Sequence, residues 1–314
     1  MNKLFLAALV TGALALPAYA ADYTIMAPAA PGGGWDSTAR TMQESLQADG
    51  ISSSVQVTNV AGAGGTIGLA QFVSQASGKP DQLMVAGYVM VGAILANQSP
   101  MSLADVTPIA RLTAEADVIV VPAASPIKTM DDLVAQLKAN TGAVSWAGGS
   151  AGGADHIAAG LIVKAIGSDP TQVNYIAYSG GGEALAAVLG GQVTVGISSA
   201  SEFLPQVDAG ALRVIAVTGE KRIEGYDAPT LKEAGVDVAM ENWRMVAAAP
   251  GITAEQKAAI SADIEKMVNG PAWQAALKTR GWTNAYLSGE AFDTQLAADI
   301  TATGAILKEI GLVQ

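Results

Sequence analysis

The sequence predicts an α/β fold of mostly parallel sheets divided between two lobes. Short apolar runs alternate with helical patterns from Tyr23 onward, the order that builds parallel sheets covered by helices. Gly-rich turns recur where strand-like runs give way to helix-like ones. A chain of 314 residues, half of them hydrophobic, exceeds one small core and suffices for two.

Each element follows from local pattern. "YTIMAP" (23–28) reads as a strand and "WDSTARTMQESLQA" (35–48) as an amphipathic helix. "SVQVTNV" (54–60), "TIGLAQFVSQAS" (66–77) and "QLMVAGY" (82–88) continue as strand, helix and strand. The run "ADVIVVPA" (116–123) precedes the helix "TMDDLVAQLKAN" (129–140), whose paired acids Asp131 and Asp132 suit a helix start. Strand 143–148, helix 154–167, strand 173–178, helix 182–191 and strands 193–198 and 211–218 follow. Beyond "WRMVAAAPG" (243–251) the pattern is helical almost to the end, over 253–269, 271–281 and 289–311. Two crossings between lobes are expected at about 118–124 and 244–250, where strand-like runs lead into Pro-containing turns. The expected division is a leader over 1–20, one lobe from 21–120 plus 247–314, and a second over 121–246.

The start of the chain has the pattern of an export signal. Lys3 precedes an apolar stretch over 4–16 and the small-x-small site Ala18-Tyr19-Ala20. Cleavage after Ala20 and a soluble periplasmic protein are expected. The formal net charge is −11, and loss of Lys3 makes it one unit more negative. Such a charge disfavours nucleic acid and anionic membranes. With no cysteine and one histidine, neither a disulfide nor a soft-metal site is expected, and no cofactor is called for.

Four Gly-rich turns carry the candidate chemistry: "PGGGWD" (31–36), "NVAGAGGTIG" (59–68), "GGSAGGADH" (148–156) and "YSGGGEA" (178–184). Open helix N-termini have unpaired N–H groups and the positive end of the macrodipole, so they bind anions without lysine or arginine. Tight βα turns alone would also account for the glycines. "GAGGTIG" falls short of a dinucleotide fingerprint, since Gly68 comes one position late. "GGSAG" (148–152) satisfies the nucleophile-elbow pattern around Ser150. The lone histidine, His156, stands six residues on, along the same helix, rather than on a distant loop. A Ser150 hydroxyl donating to a bound carboxylate fits better than a nucleophile. His156 should stay neutral near a helix N-terminus, either donating one hydrogen bond or holding a turn. Asp36 and Asp155 read as helix caps. Trp35 is either an apolar wall or packing at a lobe edge. Arg244 can clamp a carboxylate with its fork or sit in a surface ion pair.

These blocks, with "NYIAYSGGGEALAAVLGGQV", "PTLKEAGVDV" and "NWRMVAAAPGI", resemble the substrate-binding subunit of tripartite tricarboxylate transporters, specifically its citrate-type branch. The resemblance implies a two-lobed periplasmic-binding-protein fold with two crossovers. It also implies capture of a small di- or tricarboxylate such as citrate, delivered by a monomer to a two-component inner-membrane permease. Carried onto this chain, the first lobe offers Pro31, Gly32, Gly33, Gly34 and Trp35 with Gly64, Gly65 and Thr66. The second offers Ser150, Ala151, Gly152 and Gly153, then Ser179, Gly180 and Gly181. His156, Ser199, Ser201 and Arg244 are further candidates. Met245 stands where the family pattern has glycine, and Ala116 where it has a bulkier residue; both are expected to alter cleft volume. A periplasmic hydrolase using Ser150 and a carboxylate sensor docking on a receptor are the alternatives.

Overall fold

The structure, a computed structural model, describes residues 22–313; the expected leader and its cleavage point lie outside the described residues. The first lobe opens with β1 (Tyr23–Ala27), α1 (Gly34–Ala48), β2 (Val55–Asn59), α2 (Thr66–Ala76), β3 (Gln82–Gly87), α3 (Tyr88–Ala96) and β4 (Thr107–Glu115). The chain crosses at Ala116 into β5 (Asp117–Pro122), α4 (Met130–Ala139), β6 (Ser145–Gly148), α5 (Ala154–Ala165) and β7 (Asn174–Ala177). The second lobe ends with α6 (Gly181–Leu189), β8 (Val195–Ser199), α7 (Ala200–Asp208) and β9 (Leu212–Val217). The return adds β10 (Asn242–Ala248), α8 (Ala254–Asn269), α9 (Pro271–Arg280), β11 (Thr283–Ser288) and α10 (Gly289–Glu309).

Two sheets result, in the orders β11-β4-β10-β3-β1-β2 and β7-β6-β8-β5-β9. The expected parallel pairing holds where strands alternate with helices: β1 with β2 and β3, and β6 with β7 and β8. It gives way around the crossings. β10 is antiparallel to β3 and β4, β11 to β4, and β5 to β8 and β9. The sheets are therefore mixed, because each strand that enters from the other lobe slots between two strands without a helical crossover. The expected boundaries at 120/121 and 246/247 fall inside β5 and β10, which belong wholly to the second and first sheets.

β5 shows why its sequence is an unbroken apolar run. Ile119 and Val121 pack into a cluster with Leu133, Trp146 and Ile162, whereas Val118 and Val120 enter the opposite cluster with Phe203 and Val188. Both faces of this central strand are buried, so both parities must be apolar. In the first lobe Ile25, Met42, Leu83 and Trp273 share one core. The end of α10 reaches back to the second lobe. Leu307 and Ile310 pack on Ile157 of α5, and Lys164 pairs with Glu309. No helix among the described residues is long and apolar enough to cross a membrane.

Candidate binding cleft

The strand-to-helix turns of both lobes converge on a cleft of about 340 Å³, near the lower end of the ~300–1,000 Å³ found for small-molecule sites. The first lobe contributes Gly33, Gly34, Trp35, Gly64, Gly65 and Arg244. The second contributes Ser150, Ala151, Gly153, Ser179, Gly180, Gly181 and Ser199. Pro31, Gly32, Thr66, Gly152 and His156 lie outside the lining. So do Met245 and Ala116. Met245 is fully buried in the first core, because strand alternation turns it away from the face that Arg244 presents. Ala116 sits at the crossing, with its carbonyl accepting from Ala200 N–H.

Four of the helices that begin at the cleft have glycine at their N-termini. Gly33, Gly65, Gly153 and Gly180 precede α1, α2, α5 and α6 with no side-chain cap. By contrast, α4 and α8 are closed by capping boxes, Thr129 with Asp132 and Thr253 with Gln256. Helix geometry leaves the first-turn amides without intrahelical partners, and the glycine caps leave several of those amides to other acceptors, from the protein or a ligand. The glycines of the first turn have distinct causes. Gly32 has φ +85°, a left-handed turn position. A Cβ on Gly34 would lie 2.6 Å from Arg244 Nη2. The glycine at 34 thus admits the guanidinium.

Arg244 is 2% exposed and held on three sides. Its Nη1 donates to Glu115 Oε2 at 2.9 Å and its Nη2 to Ser199 Oγ at 3.2 Å. Its guanidinium lies 5.3 Å from the ring centre of Trp282, a cation–π contact. It is neither a free clamp nor a surface pair. Glu115 Oε1 in turn accepts from Ser201 N–H at the start of α7, so the pair joins the two lobes under the cleft. Trp35 is 8% exposed; its ring packs where a Gly65 side chain would stand, so it is both cleft wall and lobe packing.

The acids act on the turns rather than as caps of their own helices. Asp36 Oδ2 accepts from Gly32 N–H at 2.8 Å and from Arg40 Nε at 2.9 Å. Burial opposes ionisation of Asp36, but these bonds and Asn59 outweigh it and hold the carboxyl below its ordinary range. Asp155 Oδ2 accepts from Gly149 N–H at 2.6 Å; burial pushes its pKa up to about 7 against that bond. Glu183 accepts from Ser179 N–H. Glu202 accepts from Ser198 Oγ at 2.8 Å and from the Gly181 amide, and burial raises its pKa. The second-lobe turn amides Gly149, Ser179 and Gly181 are thus already satisfied by protein carboxylates. Asp155, Glu183, Glu202 and Asn242 all line the cleft, and sequence reasoning missed them as site residues. Asp155 and Glu183 follow their turns by four to six residues, a local signal. Glu202 and Asn242 carry none.

His156 turns inward. Its Nδ1 accepts from Gly152 N–H at 3.2 Å, and its ring stacks on Tyr175 with centroids 4.1 Å apart. Burial lowers its pKa to about 4. Tyr175 Oη donates to the Gly149 carbonyl, so this pair props the Gly149–Gly153 turn from behind.

A family profile described as tripartite tricarboxylate transporter family receptor, TctC, matches residues 38–312. Protein BugT of Bordetella pertussis is 27% identical over 313 residues, covering 96% of this chain and 95% of BugT. Periplasmic binding protein BugD superposes with TM-score 0.83 at 23% identity, covering 93% of this chain and 98% of BugD. MatC from Rhodopseudomonas palustris with bound malate gives TM-score 0.79 at 22% identity, covering 93% and 100%. These two structures share the fold of two sheets flanking a cleft. With most of its length matched by the family profile, the chain belongs to the TctC family of tripartite tricarboxylate transporter receptors.

Proposed function

We propose that this receptor captures a small di- or tricarboxylate, citrate or a similar acid, between its lobes and delivers it to a two-component inner-membrane permease. The reading places it in the periplasm, consistent with the export-type sequence over 1–20 and with the BugD likeness. It acts as a binder and not an enzyme. The observation that carries the reading is the set of glycine-capped helix N-termini at one cleft, with Arg244 against Gly34.

The magnitudes agree with a small acid. Micromolar affinity needs about −8 kcal/mol net, and each charge-assisted hydrogen bond contributes ~1.5–3 kcal/mol. A handful of backbone amides suffices once water is excluded. MatC, similar in fold, holds malate. A hydrolase needs a base presented to Ser150, whereas His156 points its Nδ1 at Gly152 and stacks on Tyr175.

The test is calorimetric titration of ligand-stripped protein with citrate, malate, succinate and glutamate. Saturable heat with any of these acids supports the reading. Absence of heat with all of them, together with no shift in melting temperature, would sink it.

A further inference from the structure

Four carboxyls gather around one guanidinium where the chain crosses between the lobes. Glu115 on β4 bonds Arg244 on β10. Asp117 on β5, Asp155 on α5 and Glu202 on α7 feel the same cation through space. Glu115, Asp117 and Asp155 are at most 5% exposed, and Asp155 and Glu202 line the cleft beside Arg244. One cation cannot offset four anions largely shielded from water, so protons make up the balance.

Asp117 shows where one of them sits. Its Oδ1 accepts from Ser199 Oγ, while its Oδ2 is buried with no donor among the described residues. An ionised carboxylate would leave charge on that oxygen uncompensated, whereas a neutral carboxyl does not. Burial, with Asp155 and Glu115 nearby, pushes this group well above the carboxylate range.

Asp155 is the member poised to change state near neutrality. Burial raises it, the Gly149 amide holds it down, Glu202 adds to the rise and Arg244 opposes it, leaving it at about 7. On the elements packed against α5, Tyr175 of β7 is un-ionised and donates to the Gly149 carbonyl. His156, stacked on that ring, is neutral there, and Tyr88 of α3 is un-ionised. Asp169 and Glu309 lie toward the far end of α5, bonded to Thr171 and Lys164.

Resting on the carboxylate reading above, we propose that the receptor captures a proton together with its ligand. An anion in the cleft adds negative charge beside Asp155 and draws a proton from the medium onto its carboxylate; no bond in the ligand is made or broken. Like charge disfavours the ionised form, and by linkage ligand and proton favour each other by the same factor. The sign follows. The empty receptor loses this proton above about pH 7, the liganded one only at higher pH, so affinity falls as pH rises through that window.

The experiment is calorimetric titration of ligand-stripped protein at pH 7, using the tightest binder among citrate, malate, succinate and glutamate, once in HEPES and once in Tris. The two buffers give up a proton with different heats, so the difference in binding heat counts the protons taken up. About half a proton per ligand is expected for a group half-titrated at that pH. A tenfold gain in the proton affinity of Asp155 on binding makes the ligand about fivefold weaker at pH 9 than at pH 7. Asp155→Asn should lose both effects; because any proton taken by the ligand itself persists in this variant, retention of the full effect would overturn the assignment. Equal heats in the two buffers, or affinity unchanged from pH 7 to pH 9, would overturn the inference and leave the carboxylate reading intact. No heat with any acid overturns both. The comparison on unmodified protein stands even if the variant does not fold.

Discussion

Gly92 on α3 and Gly152 on the turn before α5 meet backbone to backbone across the lobes: the Gly152 carbonyl occupies the place that a Cβ on Gly92 would need. In the same turn a Cβ on Gly153 would crowd Val89 and one on Gly152 would crowd Ala96. Gly92→Ala should therefore hold the lobes apart. Alanine ordinarily favours a helix over glycine by about 1 kcal/mol, so α3 itself should not suffer. Ligand affinity should fall at least about tenfold, one hydrogen bond's worth or more, with a larger radius of gyration by small-angle scattering. A raised melting temperature with unchanged affinity would show that this contact does not govern closure.

Removing Glu115 leaves the buried Arg244 guanidinium without its hydrogen-bonded carboxylate, with Asp117, Asp155 and Glu202 acting on it only through their charge. Both side chains are at most 2% exposed, so solvent does not screen the pair. Glu115→Ala should cost about 3–5 kcal/mol in urea unfolding. Glu115→Gln retains an acceptor and should cost less. A loss under about 1 kcal/mol, the surface-pair range, would mean that water reaches the pair.

His156 is the single histidine, so its ring protons can be followed by NMR without assignment. The midpoint should lie near 4 rather than 6.5, because burial disfavours the cation. The unfolded chain takes up a proton below about 6.5, which the native state refuses until about pH 4. Stability from this group is thus present above the unfolded pKa and lost as pH falls through that window. A midpoint above 6 would contradict the buried, stacked ring.

Asp155 has the opposite sign. Its folded pKa is pushed up to about 7 by burial, whereas the unfolded carboxyl titrates near 3.9. Stability from this group is full below the unfolded value and declines as pH rises through about 7. Asp155→Asn keeps an acceptor for the Gly149 amide and removes the decline. Melting curves at pH 5 and pH 8 should show the variant gaining on the parent at the higher pH. An equal difference at both values would mean that Asp155 is ionised throughout.

Ser150→Ala should leave background hydrolysis of p-nitrophenyl acetate unchanged. Serine-dependent turnover in the parent would favour the hydrolase.

Strand and helix positions were largely legible because each depended on local period. Four elements were not. α3, "YVMVGAILA", is apolar along most of its length and shows no helical face. β4, "TPIARLTAE", pairs across two register shifts, which blur its alternation. α7 carries Pro205 in its interior. β11 is an edge strand with none of its residues buried, so little apolar signal marks it.

The sequence by itself determined where the open helix N-termini fall, since strand, glycine turn and helix follow within a few residues. It also contained the short-range ties of Asp36, Asp155 and Glu183 to their turns, four to six positions away. Only the tertiary structure decided what those turns face. Arg244 meets Glu115 across 129 positions, and Asn242 meets Ser199 across 43. These pairings form only because the chain crosses between lobes twice and slots β5 and β10 into sheets begun elsewhere. Electrostatic pairing acts through space, and the distance between two charges in a fold is set by topology rather than by their separation along the chain.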